Sequence, residues 1–262
     1  MTYCLQKDRP IAVFDSGVGG ISVLRELVHI MPEEDYIYYG DSKHAPYGIK
    51  DREEVRELTI AAANRLFDQG CKGLVVACNT ATSAAVRSLR EMYPYIPIVG
   101  IEPAVKPAVL SGEHPRVLVM ATPMTIRADK LKRLMEQYES QAELIPLPCP
   151  GLMDFIERGD LNGDDLHRYL TELLYEYSND RIDAVVLGCT HYPFATKQIR
   201  QVLGEHVKIF DGGAGTARQM QHLLKEGGLL RGELRKGQVT FENSLEGAGK
   251  EELCRRLLEL EL

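Results

Sequence analysis

The sequence lacks the features that mark several large classes of protein. It has no tryptophan, and no apolar run reaches the roughly 18 residues that a membrane-spanning helix needs. The net charge is -7, and lysine and arginine do not cluster with aromatic residues as they do in nucleic-acid-binding proteins. The N-terminal segment shows no signal-peptide pattern. We therefore expect a soluble, cytoplasmic protein with neither a membrane nor a nucleic acid as its partner.

Cysteine is also sparse, and its spacing excludes a disulfide scaffold. The six cysteines include no CxxC pair, and in a reducing cytosol they should be thiols. Four of them are expected to be small buried hydrophobic residues. These four are Cys4, Cys71, Cys149 and Cys254. The other two, Cys78 and Cys189, each follow an apolar run, in LVVACNTATS and AVVLGCTHYP.

What the sequence does contain is an alternation of strand-like and helix-like segments. With 262 residues, 44% of them hydrophobic, the chain can bury one large core or two ordinary ones. Short apolar runs separated by helical patterns predict βαβ units and parallel sheets covered on both faces. The predicted strands are 10–15, 35–41, 71–79, 96–102, 116–123, 142–150, 181–190 and 206–213. Helices are predicted between them, including one over 124–140 and one over 163–180, and a last strand and helix within 239–262.

The two halves of the chain look like copies of each other. Asp15 and Thr122 each follow an early strand and lie 107 positions apart, and Cys78 and Cys189 each follow a later strand and lie 111 positions apart. This predicts two similar open parallel-sheet α/β domains related by a pseudo-two-fold axis. Ligands of such sheets bind outside the carboxyl ends of the strands. We expect Cys78 and Cys189 to meet across a cleft between the domains.

Two thiols at strand ends suggest acid–base chemistry. If each cysteine opens a helix, the helix N-terminus favours its thiolate and also binds a ligand carboxylate. Asn79, Thr80 and Thr190 would add donors. Opposed thiols suit proton transfer on both faces of a carbon atom in a carboxylic acid. Two chance buried cysteines, or a zinc site through Cys189 and His191, are the alternatives, although no second ligand pair accompanies that histidine.

Asp15 and Ser16 open the run DSGVGG, which carries glycines but is neither a dinucleotide fingerprint nor a phosphate loop. Asp15 either caps the next helix or lies near one thiol or a substrate ammonium group. His191 would hold the matching position in the second half, so the two directions of proton transfer need not be assisted alike.

Other candidates keep two interpretations each. Tyr47 and Gly48, in a PYG segment, either form a simple turn or line the cleft. Thr122 is either a substrate donor or a loop threonine. Glu157 is either a solvated helix residue or a carboxylate at the cleft edge. Asp211, at a strand end before two glycines, is better explained as a cap or turn residue than as a catalyst.

At these motifs the chain resembles the glutamate racemases. The matching segments, spread through most of the chain in family order, are FDSGVGG (14–20), YYGD (38–41), PYG (46–48), ACNTATS (77–83), GIEPAVKPA (100–108) and LGCTHYP (187–193). The resemblance implies two α/β domains with the active site between them. It assigns 1–98 plus 209–262 to the first domain and 99–208 to the second. It also implies no metal and no pyridoxal phosphate or other cofactor.

The resemblance further implies interconversion of L- and D-glutamate, which supplies D-glutamate for peptidoglycan, by an enzyme that we expect to be a homodimer. Cys78 would remove the proton from D-glutamate and Cys189 from L-glutamate. The short segment before the first strand implies activity without a cell-wall precursor as activator. Residues implied to contact substrate or tune the thiols are Asp15, Ser16, Tyr47, Gly48, Asn79, Thr80, Thr122, Thr190 and His191, with Glu157 as an auxiliary carboxylate.

Three other functions stay open. An aspartate racemase would use the same fold, although such enzymes usually carry an acidic residue where this chain has His191. A non-catalytic amino-acid-binding protein would have no need for two opposed thiols. A redox switch through Cys78 and Cys189 is disfavoured by the missing CxxC pair.

Overall fold

A computed structural model describes residues 6–178, 181–232, 235–247 and 249–260. The described residues divide into two compact units. One unit consists of the chain up to Ile101 together with Gly213–Glu259, and the other is Glu102–Gly212. Cys4 lies outside the described residues, as do the ends of the helices predicted over 163–180 and 239–262. None of the described helices combines the length and apolarity required to cross a membrane.

All strands of the described chain belong to two fully parallel sheets, one in each unit, which confirms the predicted α/β class. The strands are β1 Ile11–Asp15, β2 Tyr36–Gly40, β3 Gly73–Val76, β4 Ile98–Gly100, β5 Arg116–Ala121, β6 Glu143–Pro148, β7 Ala184–Leu187, β8 Lys208–Asp211 and β9 Val239–Asn243. Strands β1, β3 and β7 are buried along their whole length, and β5 is buried after Arg116, as expected for sheets covered by helices.

The helices follow the strands as the sequence predicts. Helix α2 illustrates how the sequence marks the start of a helix. Asp51 caps α2 by accepting the N–H groups of Glu53 and Glu54 at 2.8 and 3.0 Å, and the negative charges of Glu53 and Glu54 are favourable at the positive N-terminus of the helix. The helices are α1 Ile21–Ile30, α2 Arg52–Asp68, α3 Asn79–Met92, α4 Val105–Val109, α5 Pro123–Arg127, α6 Asp129–Glu136, α7 Leu152–Glu157, α8 Asp164–Leu173, α9 Thr196–Leu203, α10 Gly213–Glu226 and α11 Lys250–Glu259.

The two sheets share one strand order. The first runs β4-β3-β1-β2-β9 and the second runs β8-β7-β5-β6, so that β1 to β4 correspond in turn to β5 to β8. In each sheet the second strand is added on one side of the first strand, and the third strand is added on the other side. The strand order therefore reverses between β1 and β3 in the first sheet and between β5 and β7 in the second. This switch point, at the carboxyl ends of the strands, is where open α/β sheets bind ligands. Strand β9 extends the first sheet, and the second sheet has no counterpart of it among the described residues.

Several predicted boundaries need correction. The domain boundaries after residues 98 and 208 cut through β4 and β8, whose ladders hold each strand in one unit, so the division lies after Ile101 and Gly212. The helix predicted over 124–140 is two helices, because Ala128 is extended with ψ 130°. Helix α7 is not among the predicted helices and was foreseen only in one interpretation of Glu157; it begins after Gly151, whose φ of 85° few other residues adopt.

Candidate active site

Cys78 lies just beyond β3, at the switch point of the first sheet. It is the N-cap residue of α3, and its Sγ accepts the N–H of Ala81 at 3.5 Å. Only 6% of the residue is exposed. The predicted placement of this thiol at a helix N-terminus is therefore correct, and the helix end favours the thiolate.

Asp15 and Ser16 lie beside Cys78, at the end of the neighbouring strand β1. The Ser16 Oγ is 3.5 Å from the Cys78 Sγ. Asp15 is fully buried, and its Oδ1 accepts the Gly17 N–H at 2.9 Å. Asp15 does not cap α1, because the N-cap position is occupied by Gly20 without a side-chain hydrogen bond. A Cβ at Gly20 would lie 2.6 Å from the Asp15 Cβ, so the glycine lets α1 approach the carboxylate.

Asn79 begins α3 directly after Cys78, and its amide has no hydrogen-bond partner among the described residues. Both its Nδ2 and its Oδ1 are buried. An unsatisfied buried polar group costs about 1–3 kcal/mol, so native proteins rarely keep one without a use. A ligand with both a donor and an acceptor would satisfy this amide. Thr80, the next residue, is buried as well.

Tyr47 and Gly48 belong to a short 3₁₀-helix, Tyr47–Ile49, in the first unit. The Tyr47 hydroxyl donates to the Asp41 Oδ2 at 2.7 Å, and the same carboxylate lies 2.8 Å from the His44 Nδ1. Burial, followed by the hydrogen bond and charge of Asp41 and by the nearby Cys78, raises the pKa of Tyr47. The phenol therefore stays protonated and acts as a donor that holds the PYG segment in place.

Cys189 occupies the corresponding place in the second unit, beyond β7. Its Sγ is 3.6 Å from the His191 Nδ1, and the His191 Nε2 is 2.9 Å from the Glu157 Oε1. The three side chains thus form a line from thiol to imidazole to carboxylate. Gly188 allows the ends of β5 and β7 to lie close together, because a Cβ at this position would be 2.9 Å from the Ala121 Cβ.

Glu157 and Cys189 set the charge of His191. Burial by itself lowers the pKa of His191, but the hydrogen bonds and negative charges of these two neighbours outweigh it and raise that pKa well above its ordinary value. An imidazolium at this position stabilises the thiolate of Cys189. Glu157 is the last residue of α7 and its side chain is only 12% exposed, so it is not a solvated helix residue.

Unlike Cys78, Cys189 does not open an α-helix, and that prediction is wrong. Hydrogen bonds from the Tyr192 N–H to the Cys189 carbonyl and from the Phe194 N–H to the His191 carbonyl make a 3₁₀ turn, and α9 begins only at Thr196. Pro193 lacks the N–H that an α-helical bond would need. The imidazole therefore provides for Cys189 what the helix N-terminus provides for Cys78.

Two further buried threonines, Thr122 and Thr190, lie at this end of the second sheet. Thr122 caps α5: the Thr125 N–H donates to its Oγ1 at 3.3 Å, and its hydroxyl donates to the Thr125 Oγ1 at 3.0 Å. Thr190 is 3% exposed and lies between Cys189 and His191. Asp211, the last residue of β8, is exposed.

The other described cysteines are reduced and differ from the two at the switch points. Burial raises the pKa of Cys71 to about 12, and it raises that of Cys149 as well. Such thiols stay protonated and are poor bases. Cys254 is 1% exposed in α11. Among the described residues, no group of three or more histidine, cysteine or acidic side chains is arranged to hold a metal ion, so the zinc alternative lacks ligands beyond Cys189 and His191.

Sequence reasoning overlooked Asp41 and His44. Asp41 ends the YYGD segment, but its residue type and position alone predict no role for it. The position of Asp41 directly after β2 could have indicated its place in the site. Strand β2 pairs with β1, so the carboxyl ends of both strands lie at one edge of the sheet. Asp41 therefore lies next to Asp15, and its N–H donates to the Asp15 carbonyl at 2.9 Å.

Comparison with known proteins identifies the family of this chain. Residues 12–220 match the family described as Asp/Glu/Hydantoin racemase. The chain belongs to this racemase family. It is 50% identical to the glutamate racemase of Clostridium perfringens over 254 residues, which cover 97% of this chain and 98% of that protein. The resemblance that the motifs carry is thereby confirmed, as is the enzyme class.

Solved structures of this racemase family share the fold. The glutamate racemase of Francisella tularensis, in complex with D-glutamate, matches with a TM-score of 0.82 at 30% identity, covering 98% of this chain and 96% of that one. The Escherichia coli glutamate racemase, in complex with L-glutamate and the activator UDP-MurNAc-ala, matches with a TM-score of 0.84 at 29% identity, covering 95% of each chain.

Proposed function

We propose that this racemase interconverts L- and D-glutamate by a two-thiol mechanism in which Cys78 and Cys189 each act as acid or base and no cofactor takes part. The observation that carries the proposal is the matched placement of the two cysteines. Each follows the third strand of a sheet with the same strand order, at the switch point where such sheets bind ligands. Each also has its own means of stabilising a thiolate.

The proton transfers balance without a further reactant. The Cys78 thiolate takes the α-proton of D-glutamate, and the electron pair of the broken C–H bond remains on the α-carbon, delocalised into the adjacent carboxylate. The Cys189 thiol then gives its proton to the opposite face, which forms L-glutamate and leaves Cys189 as the thiolate. The reverse sequence converts L-glutamate to D-glutamate. The proposal requires one thiol on each face of the α-carbon.

The two thiols receive different assistance. Cys78 is stabilised as thiolate by the N-terminus of α3, and the Ser16 hydroxyl lies 3.5 Å from its Sγ. Cys189 is stabilised by His191, whose positive charge is favoured by Cys189 itself and by Glu157. The free energies of the two enantiomers in solution are equal, so kcat/KM must be the same in both directions. The asymmetry of the two half-sites can therefore appear only in the separate values of kcat and KM.

Glutamate is the proposed substrate because the relatives that cover nearly the whole chain are glutamate racemases, and two solved members hold D- or L-glutamate. The buried, unpaired amide of Asn79 supports an amino-acid ligand, which brings both donors and acceptors. We propose further contacts with the substrate from Ser16, Tyr47, Gly48, Thr80, Thr122 and Thr190. Aspartate is the second candidate, favoured only by the name of the family.

The cellular role follows from the same proposal. We infer that the product D-glutamate is used for peptidoglycan synthesis and that the reaction takes place in the cytoplasm. The predicted homodimer also stays a prediction.

Incubation of the purified protein in D₂O tests the substrate. L-glutamate, D-glutamate and L-aspartate are supplied separately, and deuterium at the α-carbon and enantiomeric composition are followed together. We expect both glutamate enantiomers to reach an equal mixture, with deuterium in the inverted product. Exchange of aspartate alone would favour the second candidate, and no exchange with any of the three would contradict the proposed reaction.

A further inference from the structure

The loop formed by residues 41–48, which carries Tyr47 and Gly48, is held by a segment some two hundred positions further along the chain. The Asn243 Nδ2 donates to the Ser42 Oγ at 3.0 Å. The Ser244 Oγ accepts the Lys43 N–H at 2.9 Å. The carboxyl end of β9 therefore fixes the first two residues after Asp41.

The other end of the 41–48 loop is fixed by Asp41 itself. Its carboxylate accepts the Tyr47 hydroxyl at 2.7 Å and pairs with His44 at 2.8 Å, while the His44 N–H donates to the Asp41 carbonyl at 3.1 Å. These contacts tie His44 and Tyr47 back to Asp41, whose own N–H donates to the Asp15 carbonyl of β1 at 2.9 Å. The connection of Ser42 and Lys43 to the neighbouring strand comes from β9.

We propose that Asn243 and Ser244 are positioning residues for the reaction, and that they set where the 41–48 loop presents Tyr47 and Gly48 to the substrate. The inference rests on the proposed function, in which Tyr47 and Gly48 bind glutamate. Neither Asn243 nor Ser244 touches the thiols in this scheme; they act through the loop.

The hydrogen bonds between the end of β9 and the 41–48 loop depend on the side chains of Asn243 and Ser244. Asn243 also accepts the Leu245 N–H at 2.9 Å, which orients its amide, and a Cβ at Gly40 would lie 2.9 Å from its Nδ2, so the contact needs the glycine. The preceding residue, Glu242, points elsewhere and binds Arg65 at 3.0 Å on α2. In the described chain the second sheet has no strand that corresponds to β9, so this support belongs to the first unit alone.

Kinetics of Asn243→Ala and Ser244→Ala test the proposal. A hydrogen bond contributes about 1 kcal/mol, so each variant should raise KM for both enantiomers about fivefold, and the double variant at least tenfold. We expect kcat to stay within about twofold of the wild-type value, since the loop binds substrate and transition state alike. Ser244→Thr keeps the hydroxyl and should restore the wild-type KM. Glu242→Ala, on the same strand, is the matched control and should leave KM unchanged.

Amide hydrogen exchange of residues 43–48, without substrate, gives a second readout. It should accelerate in Asn243→Ala and Ser244→Ala but not in Glu242→Ala. Unchanged KM and unchanged exchange in the two alanine variants would overturn the proposal, and so would an equal rise of KM in the Glu242→Ala control. If the wild-type protein does not racemise glutamate, the proposed function fails, whereas the amide exchange still decides whether Asn243 and Ser244 position the loop.

Discussion

Replacing Glu157 with glutamine probes the coupling between a buried carboxylate and a thiol that it does not touch. The Glu157 Oε1 lies 2.9 Å from the His191 Nε2, with side chains that are 12% and 2% exposed. Glutamine keeps the size and a hydrogen-bonding oxygen but removes the negative charge. The variant therefore isolates what the charge does for the imidazolium.

The magnitude follows from the energy of one charged hydrogen bond. Hydrogen bonds to charged groups contribute about 1.5–3 kcal/mol, and one pKa unit corresponds to about 1.4 kcal/mol, so the pKa of His191 should fall by roughly one to two units. That pKa is raised in the wild-type protein, so His191 is charged below it and loses its charge as the pH rises through it. In Glu157→Gln, His191 should lose its positive charge at a lower pH than in the wild-type protein. The decline of activity at high pH should move to lower pH with it.

Two measurements check this prediction. NMR titration of the His191 ring gives its pKa directly, and kcat/KM as a function of pH gives the consequence for catalysis. Glu143→Gln is the matched control, because Glu143 lies in the same unit and pairs with Arg116 at the surface. An unchanged His191 pKa in Glu157→Gln, or a lowered pKa that leaves the pH profile unmoved, would refute the coupling of Glu157 to Cys189 through His191.

Two further substitutions test other parts of the structure. Gly20→Ala places a Cβ 2.6 Å from that of Asp15, so it should lower kcat/KM about tenfold and destabilise the protein by about 1–3 kcal/mol; wild-type kinetics would show that the reaction does not depend on the position of Asp15. Lys72→Met removes the partner of Glu34, which lies 2.5 Å away, and both side chains are almost fully buried. Urea unfolding should show a loss of about 3–5 kcal/mol, because the buried Glu34 carboxylate loses its cation and keeps, within the described chain, only the hydrogen bond from the Arg231 N–H, while kcat/KM of the folded protein should not change.

Most of the fold could be predicted because strand and helix periods are local properties of the sequence. The strand ends could also be predicted, which is why Asp15, Cys78, Thr122 and Cys189 lie where the alternation of apolar and polar residues indicates. The shorter elements could not. Nothing in the sequence around Ala128 distinguishes one helix from two, and α7 has too few residues for a periodic pattern.

The contacts of the candidate site were harder to predict than its location. Cys189 lies two positions before His191, whereas Glu157 lies 34 positions before it, and the contact of Glu157 depends on the short helix α7. The support of Ser42 by Asn243 spans 201 positions. Such pairings are decided by how strands and helices pack, and no local spacing records them. Local similarity can also mislead. The segments around Cys78 and Cys189 are similar, yet only Cys78 is followed directly by an α-helix.

Exchange of the α-hydrogen by the single-cysteine variants tests the two-thiol mechanism most directly. Each of Cys78→Ala and Cys189→Ala is incubated in D₂O with each glutamate enantiomer, with Cys71→Ala and Cys254→Ala as buried-thiol controls. Removing one acid–base group should lower racemisation by about a hundredfold to ten-thousandfold. The controls should keep their racemisation and lose only about 1–3 kcal/mol of stability. Any exchange without inversion should be confined to L-glutamate in Cys78→Ala and to D-glutamate in Cys189→Ala. Racemisation near the wild-type rate in either variant would contradict the mechanism.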